Sequence, residues 1–572
     1  MLLGNYFLEN EFGSLFVSQN LNSVTTINTR DDESFSMAIR TPATKNLDLL
    51  LTNNFIYNSV PNSPTVYGNL KRINVSGGAK WNYLNNGFIA STIGYENNTF
   101  DEINSKGYVF NLTNRAENIK LDDYNLSVLG SAYILSLNKD RINSNYLGNL
   151  IFDRVFESED NLRLDLQIGG ANRDYFRLNS NNTENVLGRK DDFFGSDVYM
   201  TFKLFDFLFS SLRFNYNNKT TIKDFRNIDS SLLESGIRQE INVESISFKT
   251  DINFKFDLIT QLISFTYQSR DEINDVKNEK KIGETDFNIL KLRQEQWNNL
   301  SNTKRLFLST NYNFSKKDRL KLDYSISLYQ YDTPSEQNTY DRDEFASILK
   351  LSYERMISNS LQYGIEFENL NNHVVNLKTS RSIDNNWNRI YRLTPLIRYN
   401  DSPIRYFGRF EVMANYTIFD YELDLSNTRS YSYRQVQYID SLSLTLGRNW
   451  ELKNRIMIRY FETGILFWSD FAEKRINGKE EYFLNPILKH YLSDNFTFGF
   501  GFRYFKQYQR NLSSSSIAGT LNQYSIGPEL QIDYILSSGN VINFSGWYEF
   551  LYRDDKLLNN FTNVSITTKI LF

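Results

Sequence analysis

The chain has 572 residues, rich in aromatics (44 Phe, 37 Tyr, 6 Trp) but with only 8 Pro, 2 His and no Cys. Its 63 basic and 67 acidic residues leave a formal net charge of −4. These figures exclude a disulfide scaffold and a cysteine-ligated metal, and they leave no basic footprint for a nucleic acid. No run of about 18 apolar residues predicts a transmembrane helix. The mean hydropathy of −0.48 does not exclude a membrane protein, because a membrane barrel carries its apolar residues at every second position.

In chain order, segment 1–33 is ambiguous, either a first strand or the remnant of a further N-terminal segment. Short turns are predicted near Pro42–Lys45 and Asn85–Gly87. Asp101–Asp123 reads either as one long loop or as a strand at Tyr108–Asn114 between a loop and a turn. In Asn161–Leu178, Leu162, Leu164, Leu166 and Ile168 alternate with Arg163, Asp165 and Gln167. Ile246–Leu258 sets Phe248, Ile252, Phe254 and Phe256 against Lys249, Asp251, Asn253 and Lys255. Arg319–Leu328 sets Leu320, Leu322, Tyr324, Ile326 and Leu328 against Lys321 and Asp323. Asn495–Tyr504 and Val541–Tyr552 continue the pattern, the first with Phe496, Phe498, Phe500 and Phe502 on one face. Period two marks β-strands, and β-branched and aromatic residues suit them.

The alternation runs longer than the roughly 5–6 residues of strands in soluble sheets, and about 9–11 tilted residues cross a bilayer. Further short turns are expected near Glu159–Asn161, Asp206, Asp257, Lys316–Asp318, Ser358–Asn359, Asp401–Pro403, Lys453–Asn454, Ser493–Asn495 and Ser538–Asn540. Long polar loops are expected at Asn179–Asp191, Phe225–Glu240, Asp271–Leu300, Asp332–Arg342, Leu377–Asn386 and Leu512–Thr520. The expectation is an all-β fold: a single large antiparallel transmembrane β-barrel of about 22–26 strands. Its short turns would be periplasmic and its long loops extracellular, with residues 1–572 forming one domain. Leu320, Leu322, Ile326, Phe496, Phe498, Phe500, Ile566 and Ile570 are expected to meet lipid, and Tyr324, Tyr406, Tyr548 and Tyr552 to sit at the interfaces, ahead of the rival reading in which they stack on carbohydrate in the lumen.

The chain ends NVSITTKILF, with Val564, Ile566, Ile570 and Phe572 on one face. This strand, with its terminal Phe572, resembles the signal read by the assembly machinery of bacterial outer-membrane barrels. With the strand lengths and loop asymmetry, the whole chain resembles a large barrel of that kind. Its size is similar to the barrel part of TonB-dependent receptors or of lipopolysaccharide-export barrels. The resemblance implies an integral protein of a Gram-negative outer membrane, with outer-membrane lipids and the barrel-assembly machinery as partners. It carries no functional motif. The opening Met1-Leu2-Leu3-Gly4-Asn5 has no signal-peptide pattern. For an exported barrel this leaves a different start or a fragment as alternatives. No plug domain precedes the first strand, and no jelly-roll domain of a lipopolysaccharide exporter is visible.

The candidate lumen residues are Arg163, Asp165, Gln167, Lys249, Asp251, Lys255, Lys321, Asp323, Glu366, Glu368, Arg405, Arg409 and Glu411. A Lys or Arg on the lipid side costs about 2–4 kcal/mol at mid-bilayer, so they are expected to point inward. There they form either a mixed-charge conduit or a merely hydrated, cross-linked wall. Loop Asp271–Leu300, with a short amphipathic helix through Phe287, Ile289, Leu290, Trp297 and Leu300, folds inward, grips a ligand or stays solvated. His373 and His490 are expected at opposite ends, and no catalytic, cofactor or metal site is predicted. The leading function is an outer-membrane channel or transporter for a hydrophilic or large substrate. The alternatives are a gated receptor or exporter with its plug or periplasmic domain elsewhere, and a structural or adhesive barrel. The protein is predicted to migrate differently on a denaturing gel before and after boiling; identical mobility speaks against a stable closed sheet.

Overall fold

The computed structural model describes residues 2–10, 13–25, 29–59, 70–100, 103–137, 141–178, 184–226, 237–278, 282–421, 429–513, 520–537 and 540–569. These form one sheet of 27 strands, from β1 (Leu2–Asn10) to β27 (Lys556–Lys569), one more than the top of the expected range. The ambiguous opening contributes two strands, β1 and β2 (Gly13–Thr25). Each strand pairs antiparallel with the next in the chain, so every connection is a hairpin. Asp101–Asp123 is mostly strand, Ile103–Leu121.

The two rims differ. On one, strands are joined by tight turns such as Lys45–Asn46, Asn85–Asn86 and Asp206–Phe207. In the turn before β10 (Asn161–Leu178), the Ser158 hydroxyl donates to the Asp160 carboxylate at 2.7 Å and the Lys203 backbone N–H does so at 2.7 Å. Together they hold that carboxyl below its ordinary range. On the other rim the connections include 279–298, 333–341 and 377–385. Not every loop-side connection is long: Asp554 and Asp555 close the last hairpin with φ of 48° and 62°, the positive angles of a type I′ turn.

Several boundaries differ from the sequence reading. The turn expected at Lys453–Asn454 lies inside β22 (Trp450–Phe467); the chain reverses at Gly447–Asn449, where Gly447 takes φ 70°. Strand β11 (Glu184–Phe205) absorbs most of the loop expected at Asn179–Asp191, and β14 (Ile259–Asn278) runs well into Asp271–Leu300. Likewise β12 (Leu208–Arg226) and β13 (Ile237–Lys255) reach into Phe225–Glu240 from both sides. Polar residues at both faces hid these extensions, because alternation vanishes once neither face is apolar. The 22 residues of β11 span roughly 70 Å, and because the tight turn at Asp206–Phe207 holds one end, the extra length lies on the loop side.

Following the register from strand to strand sorts side chains onto two faces. Leu162, Leu212, Leu306, Leu322, Leu351, Val412 and Phe500 fall on one face. In backbone register Ile566 pairs with Phe544, while Ile570 and Phe572 lie outside the described residues. The sheet curls toward the other, polar face. Ser34 of β3 (Thr29–Thr44) and Arg173 of β10 line one cavity of about 650 Å³, yet seven strand spacings would separate them by about 34 Å in a flat sheet. The curl also brings β1 and β27 within 8 Å between Cα atoms, although no ladder joins them among the described residues. With an odd number of strands they run in the same direction, so an antiparallel ladder cannot close that seam.

The facing assignment makes a prediction. Leu322→Arg lowers the fraction that folds into lipid vesicles, at a cost of up to about 2–4 kcal/mol, whereas Lys321→Leu folds like the parent. Protease protection and the unboiled gel band measure both, and equal yields at the two positions would contradict the assignment.

Candidate functional site

The polar face is built from a repeated local device. Residues two apart on a strand share a face at about 7 Å along the backbone, within reach of a long basic side chain. A basic residue followed two positions later by an acidic one therefore makes an ion pair within its own strand. The structure contains Lys249–Asp251 at 2.8 Å, Lys321–Asp323 at 2.7 Å, Arg409–Glu411 at 2.6 Å and Arg163–Asp165 at 3.8 Å. The same spacing pairs Arg189 with Asp191 at 3.0 Å, Arg342 with Glu344 at 2.6 Å and Lys479 with Glu481 at 3.0 Å. The basic member is generally the more exposed, so each pair stabilises the fold by at most about 1 kcal/mol. Their larger effect is to cancel charge locally.

All thirteen candidates occupy this face by register, and cross-strand contacts join several of them. Arg392 bonds Glu368 and lies 3.7 Å from Glu411, which also accepts from Arg409 and from the Gln435 amide at 3.1 Å. Glu366 lies 3.9 Å from Lys350. Arg405 donates to Glu451 at 2.9 Å. The side chains of Gln167 and Lys255 make no ion pair or hydrogen bond among the described residues.

Charges on the apolar face gather toward the loop-side ends, as with Lys71, Lys190, Lys277 and Arg434. An exception is Asp440, in β21 (Tyr431–Leu446), which is buried where Gly408 leaves room beside it. Tyr406 and Tyr438 join hydroxyls over this spot at 2.7 Å, and Tyr438 is hydrogen-bonded to Asp440. Tyr406, read from sequence as an interfacial residue, thus also shields a carboxyl.

The long loop folds onto the polar face. After Asn278, helix α1 (Glu284–Glu295) begins with Glu284 and Asp286 in its first turn and has Arg293 in its last, which suits the helix dipole. Leu290, 1% exposed, packs on Ile237 of β13 and Val276 of β14, with Ile282 and Phe287 beside it. Both strand residues belong to the polar face by register. Asn278 exchanges two bonds with Ile282, at 2.9 and 3.0 Å, and the Asn338 amide donates to the Gln296 carbonyl at 2.7 Å. Arg381 stacks over Tyr340 at 4.7 Å, Lys378 pairs with Asp341 at 3.2 Å, and Arg429 pairs with Asp384 at 2.9 Å. These contacts tie α1 and three neighbouring loop segments into one rim. His373 is near this rim, stacked on Trp387 and 2.9 Å from Asp420. His490 is at the opposite end, stacked on Trp450.

Sequence reasoning missed Glu451, 2% exposed, which accepts from Arg405, Ser443 and Tyr491 and lies 3.4 Å from Lys453. It missed the Arg459–Glu481 pair and the group around Glu96. The basic-x-acidic spacing would have found Lys479 and Glu481. Lys453, two residues on, is the one local sign of Glu451; its other partners Arg405, Ser443 and Tyr491 come from three other strands.

No family model matches the chain, and no curated protein sequence resembles it. Among solved structures it is similar to the copper transporter OprC, with 11% identity over 86% of this chain and 82% of that one, at a TM-score of 0.41. It is also similar to the FrpB iron transporter of Neisseria meningitidis (8%, 98% and 80%, 0.42) and to the ferric citrate transporter FecA (10%, 95% and 74%, 0.36).

Removing Glu451 strands several donors at once, whereas the Arg405 guanidinium is 61% exposed. Glu451→Ala is therefore predicted to lower stability by about 1–3 kcal/mol, and Arg405→Ala by less than about 1 kcal/mol. Urea titration of tryptophan fluorescence in vesicles measures the difference.

Proposed function

We propose that this chain is an integral barrel of a Gram-negative outer membrane that passes a hydrophilic solute along its polar interior. The observation that carries this reading is the apolar convex face. Leu306, Val412 and Phe500 are 47%, 42% and 59% exposed there, within a band crossing most of the sheet. Soluble proteins rarely expose contiguous apolar patches above a few hundred Å². Hydrocarbon removes that surface from water, and a curled sheet leaves its polar face to enclose an aqueous space. In this reading Arg163, Asp165, Gln167, Lys249, Asp251, Lys255, Lys321, Asp323, Glu366, Glu368, Arg405, Arg409 and Glu411 line the conduit. Because most of these charges are paired, the wall attracts neither cations nor anions strongly, and passage depends on size and hydration.

The inward seat of α1 favours a gated conduit over an open one. Its packing against Ile237 and Val276, at the loop-side ends of their strands, supports a helix that narrows the entrance there. Planar-bilayer recording tests both statements. The parent is expected to give small steps with little charge selectivity, and replacement of residues 282–298 by a short Gly-Ser linker is expected to enlarge them. Silence in both proteins would overturn the conduit and leave a structural or adhesive barrel. Steps unchanged by the replacement would remove the gate.

A further inference from the structure

On the polar face, near the loop-side rim, the curl of β3 through β10 encloses the cavity of about 650 Å³, within the range that holds small-molecule ligands. Its floor is a cluster of charged and polar side chains. Glu96, 2% exposed, lies 3.4 Å from the Arg72 guanidinium, accepts from the Asn74 amide at 3.2 Å and is hydrogen-bonded to Tyr133. Ser76 donates to the Asn74 carbonyl oxygen at 2.8 Å. The Tyr133 ring is held by the buried Val109, Leu135 and Leu137. The Arg72–Glu96 pair leaves this floor without net charge.

The remaining wall is not satisfied. The amides of Asn54 and Asn145 have no hydrogen-bond partner among the described residues, and each offers two donors and an acceptor. Arg173 lines the same space, and no carboxylate pairs with it among the described residues. Its register partner is another cation, Arg189, whose own charge is taken by Asp191 at 3.0 Å. Among the described residues the cavity therefore presents one guanidinium without a carboxylate beside amides without partners, on a neutral, partly aromatic floor.

We infer that this cavity binds a hydrophilic solute of sugar-acid type, with one carboxylate on Arg173 and hydroxyls on Asn54 and Asn145. This deepens the conduit reading, on which it rests for access to the cavity. A guanidinium meets a carboxylate through two parallel hydrogen bonds, and amides satisfy hydroxyls as both donors and acceptors. A neutral sugar leaves the cation unpaired. A small inorganic anion leaves the amides unpaired.

The test is titration calorimetry on the purified full-length protein in detergent, with glucuronate, glucose and inorganic phosphate as probes. Glucuronate is expected to bind at least tenfold more tightly than either of the others. Arg173→Gln is expected to abolish the preference over glucose, and Asn145→Leu to weaken glucuronate and glucose alike. The shift in mobility on boiling checks that each variant is folded. Absence of glucuronate binding at millimolar concentration, or unchanged binding in Arg173→Gln, overturns the site. Bilayer recording on the same preparation separates the two readings. Conducting protein without glucuronate binding rejects the site and keeps the conduit, whereas silent protein that binds glucuronate keeps the site and rejects the conduit.

Discussion

A β-strand sends successive side chains to opposite faces, and the rest of this protein depends on that constraint. Twenty-seven strands keep the same parity from one hairpin to the next, so a single choice of face is copied round the sheet. A slip of one residue in any hairpin would turn a column of leucine and phenylalanine toward the polar side. The few irregularities in register sit beside connections, as between Lys203 and Phe205, where they disturb little of the pattern.

The same parity explains the chemistry of the polar face. Two residues apart means one face, so basic-x-acidic pairs form within a strand without help from a neighbour. This makes the wall polar and nearly neutral at once. Cross-strand groups such as Arg392 with Glu368 and Glu411 then link adjacent strands. The cavity near β5 (Leu70–Leu84) and β6 (Gly87–Phe100) departs from this rule, because Arg173 is not followed two residues later by an acid: Tyr175 stands there. That break in a repeated device leaves Arg173 without an acidic partner among the described residues.

The loop side adds what the sheet lacks. Long strands carry the polar wall up to the loop-side rim, and α1 is seated there by the packing of Leu290 on Ile237 and Val276 rather than by the rim alone. The ties from Gln296 through Tyr340 and Asp384 to Arg429 make the rim a connected structure, so movement of α1 would be shared with its neighbours.

The sequence alone determined the strand period, the single antiparallel sheet, the rim asymmetry and the face of each charged candidate. All of these follow from local alternation and turn chemistry. It also placed the helix through Phe287, Ile289 and Leu290, but extended it too far: α1 ends at Glu295, Trp297 lies beyond it and Leu300 belongs to the next strand. It misplaced Lys453–Asn454 as a turn, because two adjacent polar residues look alike in a turn and on a strand. Only the tertiary structure decided which loops lean inward, that Glu451 gathers donors from separate strands, and that β3 and β10 meet across one cavity. Those features depend on how sharply the sheet curls and on contacts between residues far apart in the chain, and neither quantity is written in any short stretch of residues.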